Sequence, residues 1–261
     1  MLSGGLRLGL ILAAARSFTP LSHNLNLSRS LTGLSSAFQP LMSSPSSTTL
    51  VLGITGPIAS GKSTVGRTLG ARREVAYIET DKLVTYGKGE NLTREIVREF
   101  GCGLDGADDE VDRAALGRVV FGDRKKMRQL ESLVWPAVKS TVKGLLETHF
   151  ANEEIACVLL ESAVLLDAGW DETCDHVWVV RSDPAVAIDR MVTNRGMSRD
   201  DAAGRLEGQK ERKGLGGGSL EGIVRCDWTV IDNNGTEGEL VENIQANFVA
   251  LMQKWRQKQD E

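Results

Sequence analysis

The sequence predicts an α/β fold with three α/β/α layers around a parallel five-stranded sheet. Five short apolar runs recur along the chain, at residues 50–55, 75–78, 155–160, 177–180 and 228–231. Helical spacing fills the segments between them, and strands that alternate with helices form parallel βαβ units buried on both faces. The composition agrees, since 261 residues with 41% hydrophobic and 25% charged side chains exclude a disordered, collagen-like or coiled-coil chain.

Residues 1–47 differ from the remainder and predict a targeting leader. The first 73 residues contain no Asp or Glu, and residues 1–50 carry three arginines, no lysine and eleven serines. Such a composition is typical of organellar transit peptides, so we expect localisation in a mitochondrion or a plastid. Two alternatives are a signal-peptide core at residues 8–15 and a disordered extension on a cytoplasmic enzyme.

Charge and hydropathy limit the classes of binding partner that we expect. The net charge is −4, which argues against binding to nucleic acid or an anionic membrane surface. The apolar stretch at residues 8–15 is shorter than the ~20 residues that span a bilayer, so we expect no stable membrane association. The four cysteines lack C-x-x-C spacing, which favours free thiols over a zinc site. The oligomeric state stays open.

A glycine-rich loop follows the first predicted strand. Residues 56–63 match G-x-x-x-x-G-K-[ST], and a helical pattern follows, as in the P-loops that bind nucleoside triphosphates. Backbone N–H groups and the positive helix end would bind phosphate oxygens, Lys62 would reach the β and γ phosphates, and Ser63 would bind Mg²⁺. The guanine-reading pattern N-K-x-D is absent from the sequence, which argues against a GTPase. The predicted nucleotide-binding residues of the loop are Gly56, Pro57, Ile58, Ala59, Ser60, Gly61, Lys62, Ser63 and Thr64.

Acidic residues stand at the ends of the second and third predicted strands. Glu79 and Asp81 follow the second strand, and Glu161 follows the third at a position that resembles Walker B. Ligands gather at the carboxyl ends of parallel strands, so we expect Asp81 beside the phosphate loop. There it would take a proton from an acceptor hydroxyl or orient Mg²⁺. The alternative for Asp81 is a structural role as a helix N-cap.

Two long segments interrupt the alternation of strands and helices. Residues 84–150 carry apolar faces at helical spacing and predict a helical substrate-binding insertion. Residues 189–225 are polar and rich in arginine, with a glycine cluster at residues 214–218, and predict a lid. A last amphipathic helix is expected around residues 240–255.

The lid provides three candidate nucleotide-binding arginines, Arg190, Arg195 and Arg205. On a helix Arg190 shares a face with Asn194, and Arg205 shares one with Gln209. A closing lid would bring the guanidinium groups to a transferring phosphoryl group, where they would stabilise its charge. The alternative is a solvated basic helix with no role in the reaction.

Several motifs, in this order, resemble the dephospho-coenzyme A kinase family. The resemblance runs from about residue 50 to residue 235 and rests on the phosphate loop at 55–64, the acidic strand end at 79–81, the segments 96–101 and 111–121, the lid at 190–209 and the closing strand and turn at 227–235. It implies a kinase domain over residues 48–258, whose nucleotide core comprises residues 48–83 and 151–258.

The resemblance also implies a reaction. It is the ATP-dependent phosphorylation of the ribose 3′-hydroxyl of dephospho-coenzyme A, which gives coenzyme A and ADP, with Mg²⁺ as the second cofactor. By resemblance Asp81 is the catalytic residue near that hydroxyl, and Lys62 and Arg190 contact the phosphates. The alternatives are another small-molecule P-loop kinase, of nucleotide, gluconate or shikimate type, and a catalytically weak ATP-binding regulatory module.

Four positions depart from the family pattern. Pro57 replaces a glycine of the loop, Glu79 replaces an aspartate, Trp135 replaces a histidine, and residues 163–167 replace a proline-leucine-leucine segment. The first departure bears on nucleotide binding, because proline fixes its own φ and has no N–H to donate.

Overall fold

The computed structural model describes residues 48–84, 90–120, 123–209 and 220–260; the predicted leader and the glycine cluster lie outside these residues. It confirms the α/β fold. All strand pairs are parallel and follow the order β2-β3-β1-β4-β5. The strands are β1 (Leu50–Thr55), β2 (Val75–Glu79), β3 (Cys157–Glu161), β4 (His176–Arg181) and β5 (Asp227–Asp232).

The third strand corrects the predicted bounds of residues 155–160. It starts at Cys157, two residues after the start of the apolar run, and it ends at Glu161. The cause is pairing on both sides, since Glu161 is in register with Ile54 of β1 and with Glu79 of β2. An apolar run ends at its first charged residue, whereas backbone pairing extends as far as the neighbouring strands do. The carboxylate of Glu161 therefore belongs to the sheet edge itself.

Helices cover both faces of the sheet. Buried residues form one large apolar cluster with the insertion helices and a second cluster with the first and last helices. β1 to β4 are thus largely buried, as their nearly continuous apolar sequences predict, whereas the edge strand β5 is largely exposed or half-buried. The helices are α1 (Lys62–Gly70), α2 (Asn91–Phe100), α3 (Arg113–Val120), α4 (Arg124–Phe150), α5 (Pro184–Arg195), α6 (Arg199–Glu207) and α7 (Glu237–Asp260).

The predicted insertion is helical, and α2, α3 and α4 form it. Their inward faces carry Ile96, Leu116 and Leu130, which are fully buried against the sheet cluster. Helix α4 begins where the side chain of Asp123 accepts hydrogen bonds from the N–H groups of Lys125 and Lys126, at 2.9 and 3.1 Å. These bonds satisfy N–H groups that have no partner within the helix.

The last helix, α7, packs where its apolar spacing predicts. Leu240, Ile244 and Phe248 are buried in the cluster that also holds α1. Near its end, Trp255 Nε1 donates to the carbonyl oxygen of Thr48 at 3.0 Å. Helix α7 therefore holds the segment through which the chain enters β1.

Three further observations concern the cysteines, metal-ligand groups and hydropathy of the described part of the chain. The four cysteines are free thiols, three of them buried. Within the described ranges, His, Cys, Asp and Glu form no group of three that could hold a metal ion. Over the same ranges, no helix combines the length and hydropathy that a membrane span requires.

Candidate active site

The phosphate loop connects β1 to α1 at the carboxyl edge of the sheet. Gly56, Ala59 and Gly61 have positive φ values of 151°, 59° and 101°. A Cβ atom on Gly61 would lie 2.3 Å from Asn233 Nδ2, so this position requires glycine for both space and conformation. Helix α1 begins at Lys62 with no acidic residue in its first turn. Its positive end therefore faces the loop with no carboxylate from its own first turn.

Pro57 fits the loop. Its carbonyl oxygen accepts hydrogen bonds from the N–H of Ser60 at 3.3 Å and from Lys62 Nζ at 2.9 Å. The same ammonium group donates to the carbonyl oxygen of Gly56 at 2.8 Å. Lys62 thus folds back over the loop, and its charge lies where the phosphates of a nucleotide would bind.

A cavity of about 470 Å³ opens beside the loop. Among the described residues, four cationic side chains line it against one carboxylate, that of Glu237, so this lining favours a polyanion. Arg67 and Asn233 are lining residues that the sequence did not single out as nucleotide-binding residues. The lining residues are Ala59, Gly61, Lys62, Ser63, Thr64, Arg67, Arg190, Asn194, Arg195, Asn233, Gly235, Glu237 and Leu240.

Arg190 is held at this cavity by a dense set of hydrogen bonds. Its Nη1 donates to Ser182 Oγ at 2.9 Å and to the carbonyl oxygen of Asn233 at 3.0 Å. Its Nη2 donates to Asn233 Oδ1 and to the carbonyl oxygen of Gly235, both at 3.0 Å. Four contacts fix the plane of the guanidinium group, so its charge is preorganised.

The other two lid arginines lie in different environments. Arg195, at the end of α5, lines the cavity together with Asn194, one turn from Arg190. Arg205 lies on α6 with its side chain exposed, and it is not among the described residues that line the cavity. The arrangement thus brings Arg190 and Arg195 to the phosphate loop and leaves Arg205 at the surface.

Glu161 joins the end of β3 to the start of α1. Ser63 Oγ donates to its Oε1 at 3.1 Å, and the hydroxyl of Tyr77 donates to its Oε2 at 2.5 Å. Burial and then the hydrogen bond to Glu161 raise the pKa of Tyr77 well above its ordinary value, so the phenol remains a donor. The same hydroxyl lies 3.3 Å from Glu79 Oε2. Tyr77 therefore links the acidic groups at the ends of two strands.

Asp81 lies in a short 3₁₀ turn, Thr80–Lys82, which follows β2 directly. The N-cap alternative is wrong, because Asp81 lies inside the turn and Glu79 precedes it as the cap residue. The strand order puts β3, with Glu161, between β2 and the strand that leads into the loop. Asp81 is thus at the expected edge, one strand away from the phosphate loop, and Glu161 lies between them in strand order.

Gln209, Tyr77 and Asn233 are site residues that sequence reasoning did not assign. Asn233 Nδ2 donates to the carbonyl oxygen of Ser60 at 2.8 Å, and Gln209 Oε1 accepts from the N–H of Ile58 at 2.7 Å. The available signals were weak: a tyrosine in an apolar strand, an asparagine in the closing turn, and a glutamine one turn from a lid arginine. None of them points to the distant group that it contacts.

Together these features define a class of enzyme. A P-loop with its lysine and hydroxyl, acidic groups at the neighbouring strand ends, and lid arginines fixed against a cationic cavity are the parts of a P-loop phosphotransferase that acts on a small molecule.

Comparisons with known proteins give the family. A dephospho-CoA kinase family model matches residues 50–253, and the chain belongs to this family. The dephospho-CoA kinase of Symbiobacterium thermophilum is 37% identical over 190 residues, which cover 71% of this chain and 74% of that protein. The enzyme of Geobacter sulfurreducens is 34% identical over 198 residues, covering 75% and 95%.

Solved structures share the fold. The structure titled TT1252 from Thermus thermophilus is 28% identical, has a TM-score of 0.61 and aligns over 77% of this chain and 97% of that one. A dephospho-CoA kinase from Campylobacter jejuni aligns with a TM-score of 0.53 at 18% identity, covering 78% and 98%, which supports the fold alone.

Proposed function

We propose that the chain phosphorylates the ribose 3′-hydroxyl of dephospho-coenzyme A with ATP, giving coenzyme A and ADP in the last step of coenzyme A biosynthesis. One observation carries the proposal. The family match at residues 50–253 spans the phosphate loop, the strand-end acids, the helical insertion and the lid arginines as one continuous set.

The phosphates of ATP bind at the loop. The N–H groups at the start of α1 and the ammonium group of Lys62 surround the β and γ phosphates. Arg190 and Arg195 approach from the lid side and stabilise the charge that develops on the transferred group. The four hydrogen bonds of Arg190 support this role, because a fixed guanidinium loses little entropy when the phosphate binds.

The acceptor hydroxyl reacts near the end of β2. Asp81 accepts its proton or orients it for in-line attack on the γ phosphate. The acceptor lies between this edge and the helical insertion formed by α2, α3 and α4. Closure of the lid keeps water from competing with the 3′-hydroxyl.

Magnesium fits the oxygen groups beside the loop. Ser63 Oγ and the carboxylate of Glu161 are hard oxygen ligands, 3.1 Å apart, at the start of α1. Ser63 would bind the ion directly, and Glu161 would hold one of its water ligands. When bound, the ion would supply positive charge that offsets the charge of the phosphates.

The composition of the predicted leader bears on the location of the protein in the cell. Its acid-free, arginine- and serine-rich composition favours import into a mitochondrion or a plastid, with the cytoplasm as the alternative. Imaging a fluorescent reporter fused to residues 1–50 tests this, and a diffuse cytoplasmic signal would contradict it.

Coupled ADP release with dephospho-coenzyme A tests the reaction. Asp81→Asn keeps the size of the side chain and removes the base, so kcat falls roughly 10²–10⁴-fold, the usual contribution of a general base. Asp108→Asn, at an exposed position, is the matched control and keeps wild-type activity. Nucleosides, gluconate and shikimate serve as competing acceptors. Turnover on one of these without stimulation by dephospho-coenzyme A would refute the proposed substrate.

A further inference from the structure

A glutamine at the end of the lid reaches the phosphate loop. Gln209 lies two residues beyond α6, is 2% exposed, and accepts a hydrogen bond from the N–H of Ile58 at 2.7 Å. The two residues are 151 positions apart in the sequence. The bond therefore joins two segments that no local structure holds together.

The N–H of Ile58 lies beyond the end of β1 at Thr55, so it takes no part in the pairing of that strand. Its hydrogen bond to Gln209 is buried. A buried N–H without an acceptor is destabilising, so the loop conformation depends on the side chain of Gln209.

Apolar contacts follow the same connection. The side chain of Ile58 is 6% exposed and packs against Met191 of α5 and Ala202 of α6. Both lid helices thus rest on the loop residue whose backbone Gln209 holds. Asn233 fixes the loop from the other side through the carbonyl oxygen of Ser60. Two external amides therefore determine the backbone path between Ile58 and Ser60.

The stability of the fold alone does not explain a glutamine at position 209. Its Nε2 is as buried as its Oε1, yet it has no hydrogen-bond partner among the described residues. Methionine has a similar shape and would bury no such donor. The retained amide indicates that the acceptor function at Ile58 outweighs the unpaired donor.

We propose that Gln209 is a positioning residue: by fixing the Ile58 peptide it presets the phosphate loop for a triphosphate and couples the loop to the lid. The inference rests on the proposed function only for the identity of the ligand as ATP. It concerns the loop and not the acceptor, so it is tested by nucleotide binding without dephospho-coenzyme A.

The test uses Gln209→Met in the full chain, with Gln253→Met as control because Gln253 is exposed on α7. The affinity for ATP, measured by calorimetry, falls about tenfold in Gln209→Met, which corresponds to about 1.4 kcal/mol at 25 °C. KM for ATP rises by the same factor, while KM for dephospho-coenzyme A stays near wild type. The control changes none of these.

Hydrogen exchange at the Ile58 amide reports directly whether its N–H has an acceptor. Its hydrogen exchange is slow in wild type, becomes at least tenfold faster in Gln209→Met, and stays slow in Gln209→Glu, which keeps an acceptor. Unchanged ATP affinity together with unchanged Ile58 exchange in Gln209→Met would overturn the proposal. If Gln209→Met does not fold, fast Ile58 exchange in folded Gln209→Glu would overturn it. If ATP affinity depends on Gln209 but the wild-type chain does not phosphorylate dephospho-coenzyme A, the proposed function alone is refuted.

Discussion

Removing the hydroxyl of Tyr77 tests its contacts with Glu161 and Glu79 beside the proposed magnesium site. Tyr77→Phe keeps the ring that packs against Gly66, where an added Cβ would lie 2.4 Å from the phenol carbon. It deletes the donor that contacts Glu161 Oε2 at 2.5 Å and leaves the contact between Ser63 and Oε1. The substitution thus frees one carboxylate oxygen without opening a cavity of ring size.

The magnitude follows from the kind of bond. A hydrogen bond to a charged group contributes about 1.5–3 kcal/mol. Tyr77 is only half-buried and Glu161 retains its second partner, so the lower figure of about 1.5 kcal/mol applies. At 25 °C this is roughly a tenfold effect. We expect the Mg²⁺ concentration for half-maximal activity at saturating ATP to rise about tenfold in Tyr77→Phe.

The assay is a titration of initial rate with Mg²⁺, accompanied by urea unfolding of the same variant. Thr173→Val is the matched control, because it removes a hydrogen bond of 2.7 Å to the carbonyl of Trp170 in the turn that precedes β4, at the opposite end of the sheet. The control loses stability and keeps the wild-type Mg²⁺ dependence. If Tyr77→Phe also loses only stability, the orientation of Glu161 does not matter for the metal and the reasoning fails.

Three further substitutions test the scaffold around the site. Gly61→Ala adds a Cβ 2.3 Å from the amide nitrogen of Asn233 at a φ of +101°, so ATP binding, measured by calorimetry, falls at least tenfold; wild-type affinity would contradict this. Asn233→Ala removes the bonds to Arg190 and to the loop, and thermal unfolding should show a loss of about 2–4 kcal/mol together with weaker ATP binding. Asp171→Ala deletes a buried acceptor of the Arg225 N–H at 3.0 Å, which costs about 1.5–3 kcal/mol in urea unfolding while KM for ATP stays unchanged; a raised KM would show a link to the site.

The sequence was sufficient to predict those parts of the fold and of the site that depend on the pattern of neighbouring residues. The run at residues 50–55, the glycines of the loop and the lysine at its end identify a strand, a turn and a helix start in one continuous stretch. The apolar spacing of α7 likewise follows from one face packing on the sheet. Arg190 and Asn194 share a helical face by spacing alone, and both line the cavity.

The remainder depends on contacts between distant segments. The partners of Tyr77, Gln209 and Asn233 lie 84, 151 and 173 positions away, and no periodicity encodes which side chain will meet which backbone group. The extension of β3 to Glu161 has the same origin, since pairing with two neighbours determines where a strand ends. The cavity has the same origin, because Arg67 of α1 lines it together with Asn233, which follows β5, and Leu240 of α7.

The hydrogen bond from Trp255 to the Thr48 carbonyl sets a boundary for shortening the protein from its amino end. A chain that begins at residue 48 keeps this bond and also the bond from Thr49 Oγ1 to the carbonyl oxygen of Ile155 at 2.9 Å. A chain that begins at residue 51 loses both, together with Leu50, whose side chain is fully buried in the central strand. Proteolytic trimming should therefore slow sharply at Thr48, because removing further residues requires α7 to release the strand at the centre of the sheet.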